Sequence, residues 1–112
     1  MALDIFVEGS SVVWEDLGGG IQRKVLGYDK AIMMTLVKFK KGSVGKLHKH
    51  VHMQVTLIQS GSFEVMIGSE RKVLHTGDSF LIPSGVEHGV VALDDGILVD
   101  VFTPMREDFV RP

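Results

Sequence analysis

The chain has no cysteine among its 112 residues, which removes disulfide frameworks, thiolate nucleophiles and cysteine-ligated zinc together. Any metal must be held through nitrogen and oxygen. It also lacks an excess of either charge: 12 Lys and Arg stand against 14 Asp and Glu, a net charge of −2. That balance gives no electrostatic basis for nucleic acid or an anionic membrane as partner. No apolar run approaches the ~20 residues of a membrane-spanning helix. The opening segment, Met1 to Glu8, has no basic flank and too short an apolar run for a signal peptide. The expected compartment is the cytoplasm, and the expected partner is a small molecule. Sustained helical periodicity with caps at both ends is missing too, so an α-helical domain is excluded.

What is present suits one β-rich domain. The length supplies a single core, and 45% hydrophobic with 23% charged residues is the composition of a folded chain. From Ile21 onward, short aliphatic or β-branched runs alternate with turn residues every eight to twelve positions, the pattern of a sandwich or barrel. The spacing predicts strands over Ile21–Leu26, Ala31–Phe39, Val51–Gln59, Phe63–Ile67, Lys72–His75, Ser79–Ile82, Val86–Leu93 and Ile97–Phe102. Thirteen glycines suit the tight corners between them. Glu15-Asp16-Leu17 reads as a short turn of helix or a loop, and residues 104–112 as a surface tail or one folded back. The domain spans 1–112 with its core at about 21–103. No repeat or linker interrupts it.

Chemistry concentrates in two glycine-framed segments. In the first, Gly42 is followed after five residues by His48-x-His50, then after three by Gln54 and after six by Gly61. In the second, Gly77 is followed after five residues by Pro83-x-Gly85 and after two more by His88. If the first segment is one strand, His48, His50, His52 and Gln54 share a face. Imidazole is the commonest ligand for first-row divalent metals, and His88 on a second strand would close the set. The expected centre holds one divalent transition-metal ion on His48, His50, Gln54 and His88. Zinc or nickel comes first, with iron, manganese, cobalt or copper also compatible. His52 reads as a non-ligand beside the site and His75 as a surface residue.

Asp100 interrupts the apolar run Ile97-Leu-Val-Asp-Val-Phe102, where a carboxylate is expensive to bury unless paired, metal-linked or protonated. By the period-two rule it shares a face with Phe102. If that face is the interior, Asp100 is a candidate general acid or base; otherwise it is a solvated aspartate or the partner of Arg106. Arg106 suits a carboxylate by its planar fork of donors, or is an ordinary surface arginine. Lys38, Lys40, Lys41, Lys46 and Lys49 read as a solvated face more readily than as a surface that steers an anion. Six methionines, the Met33-Met34 pair included, read as core filler or an intersubunit surface.

The two glycine-framed segments resemble the two-part cupin signature, which implies an all-β double-stranded β-helix, or jelly-roll barrel, in a single domain. The flanking text narrows the likeness: Trp14-Glu-Asp-Leu-Gly18, Gly20-Ile-Gln-Arg-Lys-Val-Leu26, Gly77-Asp-Ser-Phe80, Glu87-His-Gly-Val90 and Asp100-Val-Phe-Thr-Pro104 before Arg106-Glu-Asp108. Together these are similar to the small pectin-degradation cupins of the KdgF type, over Trp14 to Phe109. The resemblance implies an enzyme that converts 4,5-unsaturated monouronates from pectin or alginate breakdown to their linear 5-keto form. It implies the same four metal ligands, with Asp100, Phe102 and Arg106 as the catalytic pocket. Departures from the pattern are Gln54 for the usual glutamate, Ala92 for asparagine, Met53 for glutamate and Val51 for proline. An amide brings no charge and cannot serve as a base, which disfavours a dioxygenase-like cupin. Another metal-dependent cupin enzyme and a non-catalytic sugar-binding or small-molecule-binding cupin are the alternatives. Cupin barrels often pair, and covering a β-edge gives a physical motive, so a homodimer is expected.

Overall fold

The computed structural model describes residues 4–111; Met1 to Leu3, part of the segment read above for a signal peptide, and Pro112 of the tail lie outside the described residues. The strands are β1 (Glu15–Gly18), β2 (Ile21–Asp29), β3 (Ile32–Phe39), β4 (Val44–His48), β5 (Met53–Ser60), β6 (Ser62–Ile67), β7 (Glu70–His75), β8 (Ser79–Ile82), β9 (His88–Ala92) and β10 (Gly96–Thr103). One short helix follows, α1 (Glu107–Val110). Pairing is antiparallel within two sheets, a six-stranded one ordered β1-β2-β3-β10-β5-β8 and a four-stranded one ordered β4-β9-β6-β7. The expected all-β jelly-roll barrel is the fold. Among the described residues, no helix is long and apolar enough to cross a membrane.

Strand alternation decides what the barrel contains. On β3 the buried positions are Met33, Thr35, Val37 and Phe39; on β5, Gln54, Thr56 and Ile58; on β10, Leu98, Asp100 and Phe102. Register aligns them into cross-sheet rows: Val37–Leu98–Ile58, then Thr35–Asp100–Thr56, then Met33–Phe102–Gln54–Ile82. The first row belongs to an apolar cluster with Phe39, Phe63, Val65, Val90 and Ala92, where the Phe39 and Phe63 rings meet edge-on at 5.2 Å. Ala92, at the departure from the family's asparagine, is thus a core residue. The next two rows mix polar groups into the interior, a costly placement unless those groups are paired.

Two turns show why glycine frames the motif. Gly61 links β5 to β6 at φ +91°, and a Cβ there would lie 2.6 Å from the Asp95 carbonyl oxygen, so only glycine fits. Gly85 turns at φ +76° and donates its N–H to the His50 carbonyl at 2.8 Å, which ties the start of β9 to the histidine segment.

Two local expectations are corrected, and for the tail one of two alternatives holds. Glu15–Leu17 is strand rather than helix or loop, pairing Glu15 with Arg23 across β1 and β2. Val44–His48 is also a strand, hidden by Gly45 and Lys46 and by its mostly exposed side chains. The tail does fold back: α1 places the Phe109 ring under the Arg23 guanidinium, 3.6 Å from its centroid, and edge-on to Phe102 at 5.7 Å.

Candidate metal centre and the pocket around it

His48 to Gln54 is not one strand. β4 ends at His48 in the small sheet and β5 begins at Met53 in the large one, so Lys49–His52 is the crossover between sheets. The physical reason is pairing: β4 hydrogen-bonds with β9, whereas β5 lies between β10 and β8. The histidines nevertheless converge. His48 stands opposite His88 in register, with ring centroids 4.3 Å apart, and His50 lies 4.8 Å from His88. One ring nitrogen from each of His48, His50 and His88 falls within 4.8 Å of the others. His52 is outside this group, and His75 is exposed on β7.

Backbone carbonyls assign the tautomers. Nδ1 of His48 lies 2.8 Å from the Lys46 carbonyl, Nδ1 of His50 3.0 Å from that of His52, and Nδ1 of His88 2.9 Å from that of Val86. A carbonyl can only accept, so each Nδ1 carries the proton and each Nε2 presents a lone pair. Nε2 of His88 is buried with no partner. Nε2 of His50 lies 3.1 Å from Gln54 Oε1, and these two atoms are both acceptors in this tautomer. Facing lone pairs repel unless a cation lies between them. The residues therefore fit a divalent metal. Burial pushes the His88 imidazole down to about 4, and burial with the Arg106 charge lowers that of His50; both shifts favour the neutral form that a ligand needs.

The orientation of Gln54 comes from below. Its Nε2 donates to Thr56 Oγ1 at 2.9 Å and to Asp100 Oδ1 at 3.3 Å, while Thr56 Oγ1 donates to Asp100 Oδ1 at 2.6 Å. Asp100 is buried, and desolvation raises its carboxyl to about 6, opposed by the bonds from Thr56 and Gln54 and by the charge of Arg106. A cavity of about 190 Å³ joins His48, His88, Gln54, Asp100, Phe102 and Arg106. Arg106 does not pair with Asp100. Its Nε and Nη2 donate to Asp108 at 3.1 and 2.9 Å, which holds the Asp108 carboxyl below its ordinary range, and its guanidinium lies over Phe109 and Phe102.

Residues 35–102 match the family of cupin domains. This chain belongs to the cupins. Over 99 residues the cupin is 44% identical to the pectin degradation protein KdgF of Dickeya dadantii (strain 3937), covering 87% of this chain and 90% of that one, which places it with the KdgF type. An RmlC-like cupin from Shewanella frigidimarina superposes with a TM-score of 0.93 at 43% identity, covering 96% of each chain. KdgF from Halomonas sp. gives 0.91 at 37%, covering 96% of this chain and 99% of that one.

In this cupin, then, three histidines are positioned to hold a metal ion, and the cavity brings Gln54, Asp100, Phe102 and Arg106 beside them. Two contributors were missed from sequence. Thr56 lies two residues beyond Gln54, so strand parity on β5 places it on the same interior face. Arg23 also lines the cavity, but it sits in a strand of mixed polarity with no signal to single it out.

Proposed function

We propose that this cupin is a metal-dependent isomerase that opens the ring of 4,5-unsaturated monouronates and ketonises them to the linear 5-keto form. The observation that carries this reading is Asp100: a buried carboxyl with a raised pKa, in the same small cavity as His48, His88 and two arginines. The likeness to the pectin degradation protein KdgF supports a uronate as the substrate class.

His48, His50, Gln54 and His88 would hold one divalent ion, through three Nε2 lone pairs and the Gln54 amide oxygen. Bound there, the ion supplies a fixed positive centre that orients and polarises substrate oxygen without changing oxidation state. Asp100, as carboxylate, takes the proton of the anomeric hydroxyl. The C1–O5 bond then breaks, C1 becomes an aldehyde, and the electron pair passes to the enolate spanning O5, C5 and C4. Asp100, now protonated, delivers its proton to C4 and the C5 ketone forms; no atom is gained or lost. A pKa of about 6 suits a group that must both take and return a proton near neutrality. Phe102 walls the pocket, and Arg106 receives the sugar carboxylate. Proton NMR of the substrate tests the reaction directly, as set out at the end of the Discussion.

A homodimer is part of the same proposal. The outer face of the large sheet carries two apolar rows, Met34–Val101–Val55–Leu81 and Leu36–Val99–Leu57, of which Met34, Val55, Leu57 and Leu81 are exposed. Contiguous apolar faces mark interaction sites, and these rows contain no charge to repel a symmetry-related copy. We expect sedimentation to give twice the chain mass, and Leu81→Asp to shift the protein toward monomer. A parent protein that sediments as a monomer at about 100 μM, where even a Kd near 1 μM would leave most of it paired, contradicts the dimer.

A further inference from the structure

Arg23 lies on β2, far in sequence from both motifs, yet lines the same cavity as Arg106 and Asp100. Its side chain is only 14% exposed, and its carboxylate partner, Glu15 at 2.8 Å, is 58% exposed. The Nε is buried with no acceptor. A guanidinium has five N–H donors, and a desolvated cation left short of acceptors is costly. Arg106 is likewise buried with an exposed counter-ion: it is 13% exposed and its partner Asp108 47% exposed, although its Nε and Nη2 both donate to Asp108. Both guanidiniums share the Phe109 ring, at 3.6 and 4.2 Å from its centroid. Two like charges are therefore held beside one cavity, each with its counter-ion on a solvent-accessible residue.

We propose that Arg23 is a substrate-binding residue, a second cation that receives the carboxylate of the bound sugar together with Arg106, with Phe109 of α1 fixing the separation of the two guanidiniums. The inference rests on the uronate reading and extends it to a residue outside the motifs. Forked donors from two arginines would favour a carboxylate over a hydroxymethyl group at the same sugar carbon, so Arg23 sets acid-versus-neutral specificity. The competing role is structural: Arg23 would merely anchor β1 through Glu15 and α1 through Phe109.

The test uses the full chain loaded with zinc, and calorimetric titration with galacturonate and with galactose, its uncharged counterpart. The parent is expected to bind galacturonate more tightly. Arg23→Met should weaken galacturonate by roughly 10–100-fold, the cost of losing a hydrogen bond to a charged group, with galactose affinity unmoved. Arg23→Lys keeps the charge without the fork and should fall between, which preserves the test if the methionine variant misfolds. Glu15→Gln removes the outer partner and should leave galacturonate binding within about twofold of the parent. Equal weakening of both sugars in Arg23→Met, or a Glu15→Gln variant that reproduces its loss, assigns Arg23 the structural role and overturns the proposal. A parent that binds galacturonate no better than galactose defeats the uronate reading, and Arg23's role with it. A parent that discriminates while Arg23→Met discriminates equally defeats the Arg23 inference alone.

Discussion

Asp100→Asn should lower turnover of the unsaturated uronate by roughly 10²–10⁴-fold, the range supplied by general acid–base catalysis, while the barrel and its metal remain. Asparagine keeps an oxygen to accept from Thr56 Oγ1 and Gln54 Nε2, the bonds that orient the amide, but it cannot carry a proton. The same substitution should raise stability at neutral pH. Burial raises the folded-state pKa of Asp100 to about 6 above an unfolded value of about 3.9. The sign follows from linkage: stability is fully present below the unfolded value, where both states are protonated, and is lost as pH rises through about 6 and the buried carboxylate ionises. Thermal unfolding of chelated protein at pH 4.5 and 7.5 should therefore show Asp100→Asn gaining more on the parent at the higher pH, by on the order of 2 kcal/mol. Turnover within a few-fold of the parent removes Asp100 from the proton transfer. A stability gain equal at both pH values removes the ionised buried carboxylate.

The second large effect is loss of the metal in His88→Ala. His88 is buried, stands opposite His48 in register, and offers an Nε2 with no other partner. Losing it should weaken metal binding by more than the roughly 10–100-fold that an outer hydrogen-bonding partner costs, and turnover should fall with it. Elemental analysis after gel filtration should find about one divalent ion per parent chain and little in the variant. Chelation of the parent should abolish turnover, and one equivalent of metal should restore it. Thr56→Val is a contrasting change, because it leaves every Nε2 in place and removes only a bond that orients Gln54. A His88→Ala variant that retains a full equivalent of metal contradicts the assignment of these histidines.

Much of this was legible in the sequence, for identifiable reasons. The jelly-roll barrel follows from runs such as Ile32–Phe39 and Gly96–Thr103, whose alternation survives in their burial. Asp100 stood out because a carboxylate breaks an apolar strand, and period two gave its shared face with Phe102 correctly. The histidines were found through their glycine frames, although the single-strand reading of His48–Gln54 was wrong. Side-chain parity cannot see a crossover between sheets, because that depends on which strands pair. β4 was missed for a related reason: its exposed residues, with Gly45 and Lys46, carry no alternating apolar signal. Arg23 was the hardest to see: its place on the interior face comes from pairing with Val37 across β2 and β3, and its stacking on Phe109 from α1 folding back. That is a long-range contact with no local trace.

The decisive measurement is proton NMR of 4,5-unsaturated galacturonate mixed with metal-loaded protein, chelated protein or buffer alone, following the vinylic C4 proton. We expect the metal-loaded protein to accelerate loss of that signal and appearance of the linear 5-keto acid, while the chelated protein matches buffer. Equal rates in all three samples, with one metal ion demonstrably bound per chain, would contradict the proposed isomerase.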